Sequence, residues 1–394
     1  MEEQYIELRN TRCIYASTVA KLENDPAISP RNKELIRKFL RDAALGKTII
    51  GKAKKKIGHG ALVGYVYHLY PFIFFLKKDL DQVTMEDTEC FIEALENDEI
   101  RSRSPRIKGY KPCRSGQPYS DRYKVDMKVV IRKFYKWLWG ENKRYPEIVE
   151  WFDTYTKDKE VPALTEIEVE RMLDHARTPL QRALVQVLYD GGFRIGELLN
   201  IRLRHVRLQN YDPKDPDRTC FSLRVPFSKT LPRTVPLPMH ATSKWLSMWL
   251  EVHPARPIFL EDGRLTATDE QMQLFPLSDS EVRHLINRLG RRALNKRVYP
   301  HLLRHSSATY WCQKLPYFVL CKRFGWTMTS KMPQKYIDRE GINDLAAALI
   351  YHESESLKRT RNEQRLSDKN LERSHGTYQF SRIRSTERDD LNSV

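Results

Sequence analysis

The feature that most constrains this fold is a change of pattern at KDKEVPALT, a charged segment with one proline, which reads as a linker over 157–162. Before it, apolar residues recur at helical spacing; after it, strand-like runs enter. A chain broken in this way folds as separate units, each around its own core. With 394 residues, 40% of them hydrophobic, there is material for about two or three such units.

Upstream, residues 1–29 carry no strong periodicity and read as an N-terminal extension. MEEQYIELRN has no apolar core of the kind a signal peptide needs. Leu35, Ile36, Phe39, Leu40 and Ala43 share one helix face, with Gly46 as a stop. The apolar stretch over 62–76 contains His68 and Pro71 and is shorter than the ~20 residues of a membrane span. It is expected to be a buried helix, and no membrane segment is expected. Thr84 with Asp87 three positions on is a capping box opening a helix over 84–96. Beyond Ser120, the residues Tyr123, Met127, Val130, Ile131, Phe134, Trp137 and Leu138 mark one face of a long amphipathic helix.

Downstream, Thr165 and Glu168 form a second capping box. A helix carrying Leu180, Ala183, Leu184, Val187 and Leu188 follows, ended by Gly191 and Gly192. Residues 220–237 read as two short strands joined by a turn, with Pro226 and Pro232 fitting an edge or a strand end better than a central strand. Trp245, Met248, Trp249 and Val252 return to helical spacing. Ser278 with Glu281 caps a further helix, and Pro300 suits a first helical turn. From 352 to 394 the chain is charged and poor in apolar residues, so it reads as a tail. The expected fold is therefore mostly α with a small β-sheet. An all-helical domain spans 30–157, and an α+β domain spans 163–351.

Lys and Arg number 68 against 51 Asp and Glu, a formal net charge of +17. Such a balance attracts polyanions, nucleic acid first, because neutralising phosphates releases counterions. Two segments concentrate the charge: Lys52, Lys54, Lys55 and Lys56, and a Pro/Gly/Ser-rich loop with Arg101, Arg103, Arg106 and Lys108. Each reads equally as a solvated basic loop or as a phosphate contact. The six cysteines (13, 90, 113, 220, 312, 321) form no CxxC pair, which argues against zinc and for reduced thiols in a cytosolic protein.

The residues with chemistry are spread over the second half. Arg194 sits in GGFRIGELL, with Glu197 three positions on and within reach to orient a neighbour. Taken alone, an arginine at a helix start is ordinarily a surface residue. In HLLRHSS, His301, Arg304 and His305 stand at i, i+3 and i+4, so all project from one helix face. His301 and His305 could instead hold a metal, but no third ligand is evident and the carboxylate of HExxH is missing. Tyr336 lies in FGWTMTSKMPQKYID, on a polar stretch that suggests exposure rather than core. Ser330 and Pro333 are placed to start its helix. Two guanidiniums, a histidine and a tyrosine suffice to hold a phosphodiester and attack it without a metal.

In this order, GxRxxEL, HxLRH, a Gly-Trp pair and a tyrosine ten residues further resemble the catalytic domain of the tyrosine recombinase (phage integrase) family. Trp326 and the absence of Thr before the tyrosine resemble archaeal or mobile-element members, and Phe324 replaces the usual Leu. The resemblance implies that Arg194 and Arg304 clamp the scissile phosphate and that His301 handles protons. Trp326 would donate a hydrogen bond and pack against the site. Tyr336 would form a 3′-phosphotyrosyl link, and Lys229 on the strand turn would protonate the leaving 5′-oxygen, with Lys214 as the alternative. It implies a SAM-like helical core-binding domain that closes with the catalytic domain around double-stranded DNA, and a homotetramer on two recombination sites. Neither ATP, metal nor other cofactor is expected, and the location is cytoplasmic, at the nucleoid. A type IB topoisomerase-like relaxing enzyme would share this chemistry, and an inactive DNA-binding homologue would share the fold.

Overall fold

A computed structural model describes residues 10–48, 56–102, 116–140, 144–155, 162–209, 220–228, 232–260 and 262–340, with side chains up to Tyr336. The chain is mostly helical with small sheets, and it divides into two compact units between Val161 and Pro162.

The first unit contains α1 (Thr11–Glu23), α2 (Pro30–Ala44), α3 (His59–Leu76), α4 (Met85–Glu96), α5 (Asp121–Trp139) and the short α6 (Glu147–Glu150). Its helix starts follow from local chemistry. The Ser29 hydroxyl accepts from the Asn32 amide at 3.1 Å with Pro30 in the first turn, and Thr84 and Asp87 cap each other reciprocally. Phe39, Phe72, Phe91, Phe134 and Tyr135 fill the core. Edge-to-face pairs set their angles, Phe72–Phe91 at 4.8 Å and Phe39–Phe134 at 5.3 Å. The buried Tyr135 hydroxyl donates to the Leu80 carbonyl at 3.0 Å, and burial pushes its pKa well up.

Two sequence expectations change here. α1 gives little apolar signal because it buries just Thr18 and Leu22. It nevertheless forms, capped by Asn10, and packs on α3. The segment expected to be a buried helix, α3, is buried on one side through Leu62, Val66, Leu69, Phe72 and Ile73, while Tyr67 and Phe75 are exposed. By length and composition it is the described helix that passes for a membrane span, yet it packs on α1, α2, α4 and α5.

The second unit runs through α7 (Glu166–Asp174), α8 (Pro179–Gly191), α9 (Ile195–Leu198), β1 (Val206–Gln209), β2 (Cys220–Val225), β3 (Arg233–Leu237) and α10 (His240–Glu251). It continues through β4 (Ile258–Phe259), β5 (Leu265–Thr266), α11 (Asp279–Leu294), α12 (Pro300–Cys312), α13 (Tyr317–Phe324) and α14 (Met332–Glu340). α8 is the central helix: all residues from Ala183 to Gly191 are buried, and α7, α10 and α12 pack around it. The main sheet is antiparallel in the order β1-β2-β3. β1 escaped the sequence reading because four residues with two inward positions carry little pattern. β3 lies at the sheet edge, where Pro236 removes no ladder donor that a neighbour needs. The buried face of α10 is Leu246, Trp249 and Leu250 rather than the expected one, since Met248 and Val252 are exposed.

Asp190, at the end of α8, ties these elements together. Its carboxylate accepts from Arg323 at 2.8 Å, from the Thr242 hydroxyl at 2.7 Å and from the Met239 amide at 3.1 Å. Its carbonyl accepts from Trp311 at 2.9 Å and Arg323 at 2.6 Å. Four elements therefore converge on one buried residue, and the charge of Arg323 depends on it. Asp190→Ala is expected to cost about 3–5 kcal/mol, the range for a buried ion pair stripped of one partner. Urea unfolding checks this, and a loss under about 1 kcal/mol would contradict the assignment.

Candidate active site

The site begins where α8 stops. Gly192 has φ of 59°, and a Cβ there would come within 2.3 Å of the Phe324 ring, so glycine is required both for the left-handed turn and for the close approach. Two residues later Arg194 is the N-cap of α9, its backbone amide donating to Glu197 at 3.0 Å. Its guanidinium meets the same carboxylate at 2.7 Å while the side chain stays 31% exposed. Arg194 therefore faces solvent with its direction fixed from behind.

Pro300 starts α12 in its first turn and sets three site residues at graded depth. His301 is exposed, His305 partly buried and Arg304 buried. The Arg304 guanidinium donates to the Gly192 carbonyl at 2.5 Å and to the Phe324 carbonyl at 2.8 Å. A guanidinium has more N–H donors than two carbonyls occupy, so donors remain for an anion. Burial first, then the charge of Arg194, lowers its pKa to about 9, with Glu197 acting in the opposite sense. Partial desolvation, then the charges of Arg304, His305 and Arg194, hold His301 below the ordinary histidine value. It is therefore neutral at neutral pH and able to accept a proton.

α13 ends at Gly325, which leads into Trp326. The Trp326 ring stacks on Phe324 at 4.8 Å and on Tyr336 at 5.6 Å. His305 closes the other contact with Tyr336, ring centroids 5.2 Å apart. The Arg304 guanidinium carbon lies 5.9 Å from the Trp326 ring centroid, within cation–π range. The Ser330 hydroxyl accepts from the Met332 amide at 3.2 Å, at the start of α14. The polar sequence around Tyr336 suggested exposure, but the residue is 7% exposed and belongs to an apolar cluster with Ala308, Trp311, Leu320 and Phe324. Stacking on Trp326 and the tilted contact with His305 outweigh the polarity of its chain neighbours.

Arg194, His301, Arg304, Trp326 and Tyr336 thus come together from four parts of the chain, with Glu197 and His305 as their supports. Lys229 and Lys214 lie outside the described residues, as do Lys52, Lys54, Lys55, Arg103, Arg106 and Lys108. Lys56 is exposed, and Arg101 is exposed with its guanidinium bonded to the Gly116 carbonyl at 3.1 Å.

Residues 162–341, nearly the whole described part of the second unit, match the Phage integrase family. This unit is similar to phage integrases. Tyrosine recombinase XerA of Saccharolobus solfataricus is 24% identical over 252 residues, covering 64% of this chain and 73% of that protein. Tyrosine recombinase XerD of Xanthomonas axonopodis pv. citri is 29% identical over 215 residues, 51% of this chain and 66% of its own length. Among solved structures, a lambda integrase dimer bound to a COC′ core site aligns with a TM-score of 0.51 at 13% identity, over 79% of this chain and 78% of that one. XerH bound to a palindromic difH substrate, a post-cleavage complex, aligns at 0.50 and 15% identity, over 89% and 98%. These two alignments support the fold.

One member of the site had no sequence signal. Arg233 donates to Glu197 through both terminal nitrogens, at 3.2 and 2.9 Å. No local spacing rule connects positions 36 apart. Burial alone would raise the Glu197 pKa. The hydrogen bonds and charge of Arg233, the Arg194 amide and the charge of Arg304 overcome that and hold it at about 2. A carboxylate depressed in the folded state contributes stability above its unfolded pKa and loses it as pH falls through the folded one. The window is therefore about pH 4.5 down to 2, and the contribution above it is about 3 kcal/mol by linkage. Glu197→Gln is expected to be less stable than the native chain at pH 6, with the gap closing by pH 2. A gap independent of pH would contradict this ionisation.

Proposed function

We propose that this chain is a site-specific DNA recombinase of the tyrosine class, an integrase that cuts and rejoins DNA through a covalent phosphotyrosyl link. The observation that carries the reading is the stack of Tyr336 on Trp326 beside the buried, doubly anchored Arg304. It sets a nucleophile next to preorganised positive charge. Arg194 and Arg304 hold the non-bridging oxygens of a phosphodiester, where charge grows in the transition state. The Tyr336 oxygen attacks phosphorus and forms a P–O bond as the bond to the 5′-oxygen breaks. The phenol proton passes to neutral His301, and the departing 5′-oxygen takes a proton from Lys229. Trp326 packs the ring and donates one hydrogen bond to the phosphate.

The ester bond conserves the energy of the cut, so a second 5′-hydroxyl restores the backbone without ATP. Exchange between two duplexes needs four cuts, which fits a homotetramer on two specific sites in double-stranded DNA. The helical unit of residues 10–155 contributes DNA binding, with Lys56 and Arg101 among its phosphate contacts. The location follows from the substrate: the cytoplasm, at the nucleoid.

The test is relaxation of supercoiled plasmid in EDTA with a detergent quench. The natural chain is expected to yield a protein–DNA adduct and Tyr336→Phe none. Equal activity of the two would overturn the assignment of the nucleophile. Lys229→Ala is expected to slow cleavage by ~10²–10⁴-fold, the usual weight of general acid help. An unchanged cleavage rate would remove Lys229 from that role.

A further inference from the structure

Glu197 is held from two sides of one hairpin. Ser228, three residues past the end of β2, donates to its Oε1 at 2.8 Å, and Arg233, the first residue of β3, donates to both of its oxygens. The same guanidinium donates through Nε to the Arg323 carbonyl at 2.9 Å, next to the Phe324 carbonyl that holds Arg304. A weaker bond of 3.4 Å joins Arg233 to the Ser228 hydroxyl, closing the root of the hairpin on itself. The Arg233 side chain is 8% exposed and that of Glu197 4%. This is a buried junction of the segments that carry Arg194, Arg304 and Trp326, and its root ends one residue before Lys229.

We infer that Arg233 is the positioning residue of the active site, orienting Arg194 through Glu197 and fixing the hairpin root beside Lys229. The inference rests on the recombinase reading for the reaction it serves, but the geometry stands apart from it. A lone lysine at 233 lacks the planar fork that reaches both carboxylate oxygens and the Arg323 carbonyl together. A glutamine removes the charge as well. The groups facing the Glu197 carboxylate are Arg194 from its own turn, Ser228 and Arg233 from the hairpin and Arg304 from α12, with His301 nearby on α12. Without Arg233 the carboxyl loses its largest compensation for burial and its pKa rises.

The experiment compares the natural chain, Arg233→Lys and Arg233→Gln for adduct formation on supercoiled plasmid from pH 8 to pH 5. Taking each variant's rate as a ratio to the natural chain cancels the titration of His301. The Gln ratio is expected to fall at least ~10-fold further at pH 5 than at pH 8, as Glu197 becomes protonated and releases Arg194. The Lys ratio is expected to stay nearly flat, with partial recovery of rate. A Gln ratio constant across that range marks a residue that merely stabilises the fold, and it overturns the inference.

A second measurement needs no DNA. Amide exchange followed by mass spectrometry is expected to quicken in Arg233→Gln at 194–198 and 323–326, with residues 10–155 unchanged. Unchanged exchange at both segments also overturns the inference. If the natural chain forms no Tyr336-dependent adduct, the recombinase reading fails while exchange still decides the role of Arg233.

Discussion

Like charges crowded into one site must be compensated, and in this unit the Glu197 carboxylate meets that demand. Arg194, Arg233 and Arg304 lie around it, at 2.7, 2.9 and 3.8 Å. Two of those guanidiniums are buried, and an isolated buried cation would cost several kcal/mol. One carboxylate partnered on every side offsets part of that cost and leaves a net positive site. A net positive pocket with fixed donors is what a phosphodiester requires, because the negative charge that grows during attack then meets dipoles already in place. The same arrangement aims Arg194, the most exposed of the three, outward.

A second anchor lies behind the first. Asp190 and Arg323 pair in the core and join the ends of α8 and α13 to the edge of the sheet, so the carbonyls of Gly192 and Phe324 sit where Arg304 can reach both. The left-handed turn at Gly192 allows the Phe324 ring to come against the backbone. Phe324, Trp326 and Tyr336 then form a continuous aromatic stack. Fold stability and site geometry thus share atoms. The tyrosine is enclosed because the stack that orients its ring also covers it.

Most of the helix starts were legible from the sequence because capping is local. Thr84, Thr165 and Ser278 each open a helix through a carboxylate three residues on, as the pattern requires. Ordered motifs likewise marked Arg194, His301, Arg304, Trp326 and Tyr336, since their types and order carry chemistry even before their distances are known. What escaped was non-local or sparse. α1 and β1 bury too few residues to leave a period, and α10 turns a different face inward than its tryptophans and Met248 suggested. Arg233 and Asp190 act across long sequence separations, through contacts that the packing of the strands and helices decides. The burial of Tyr336 escaped for the same reason, because its enclosing rings come from α12 and the end of α13.

The central claim is that one side chain, Tyr336, carries the DNA. The direct measurement is to digest the trapped adduct with nuclease and protease and to locate the modified peptide by mass spectrometry. The account predicts a nucleotide joined through its 3′-phosphate to Tyr336. A nucleotide on any other residue, or one joined through its 5′-phosphate, would contradict it.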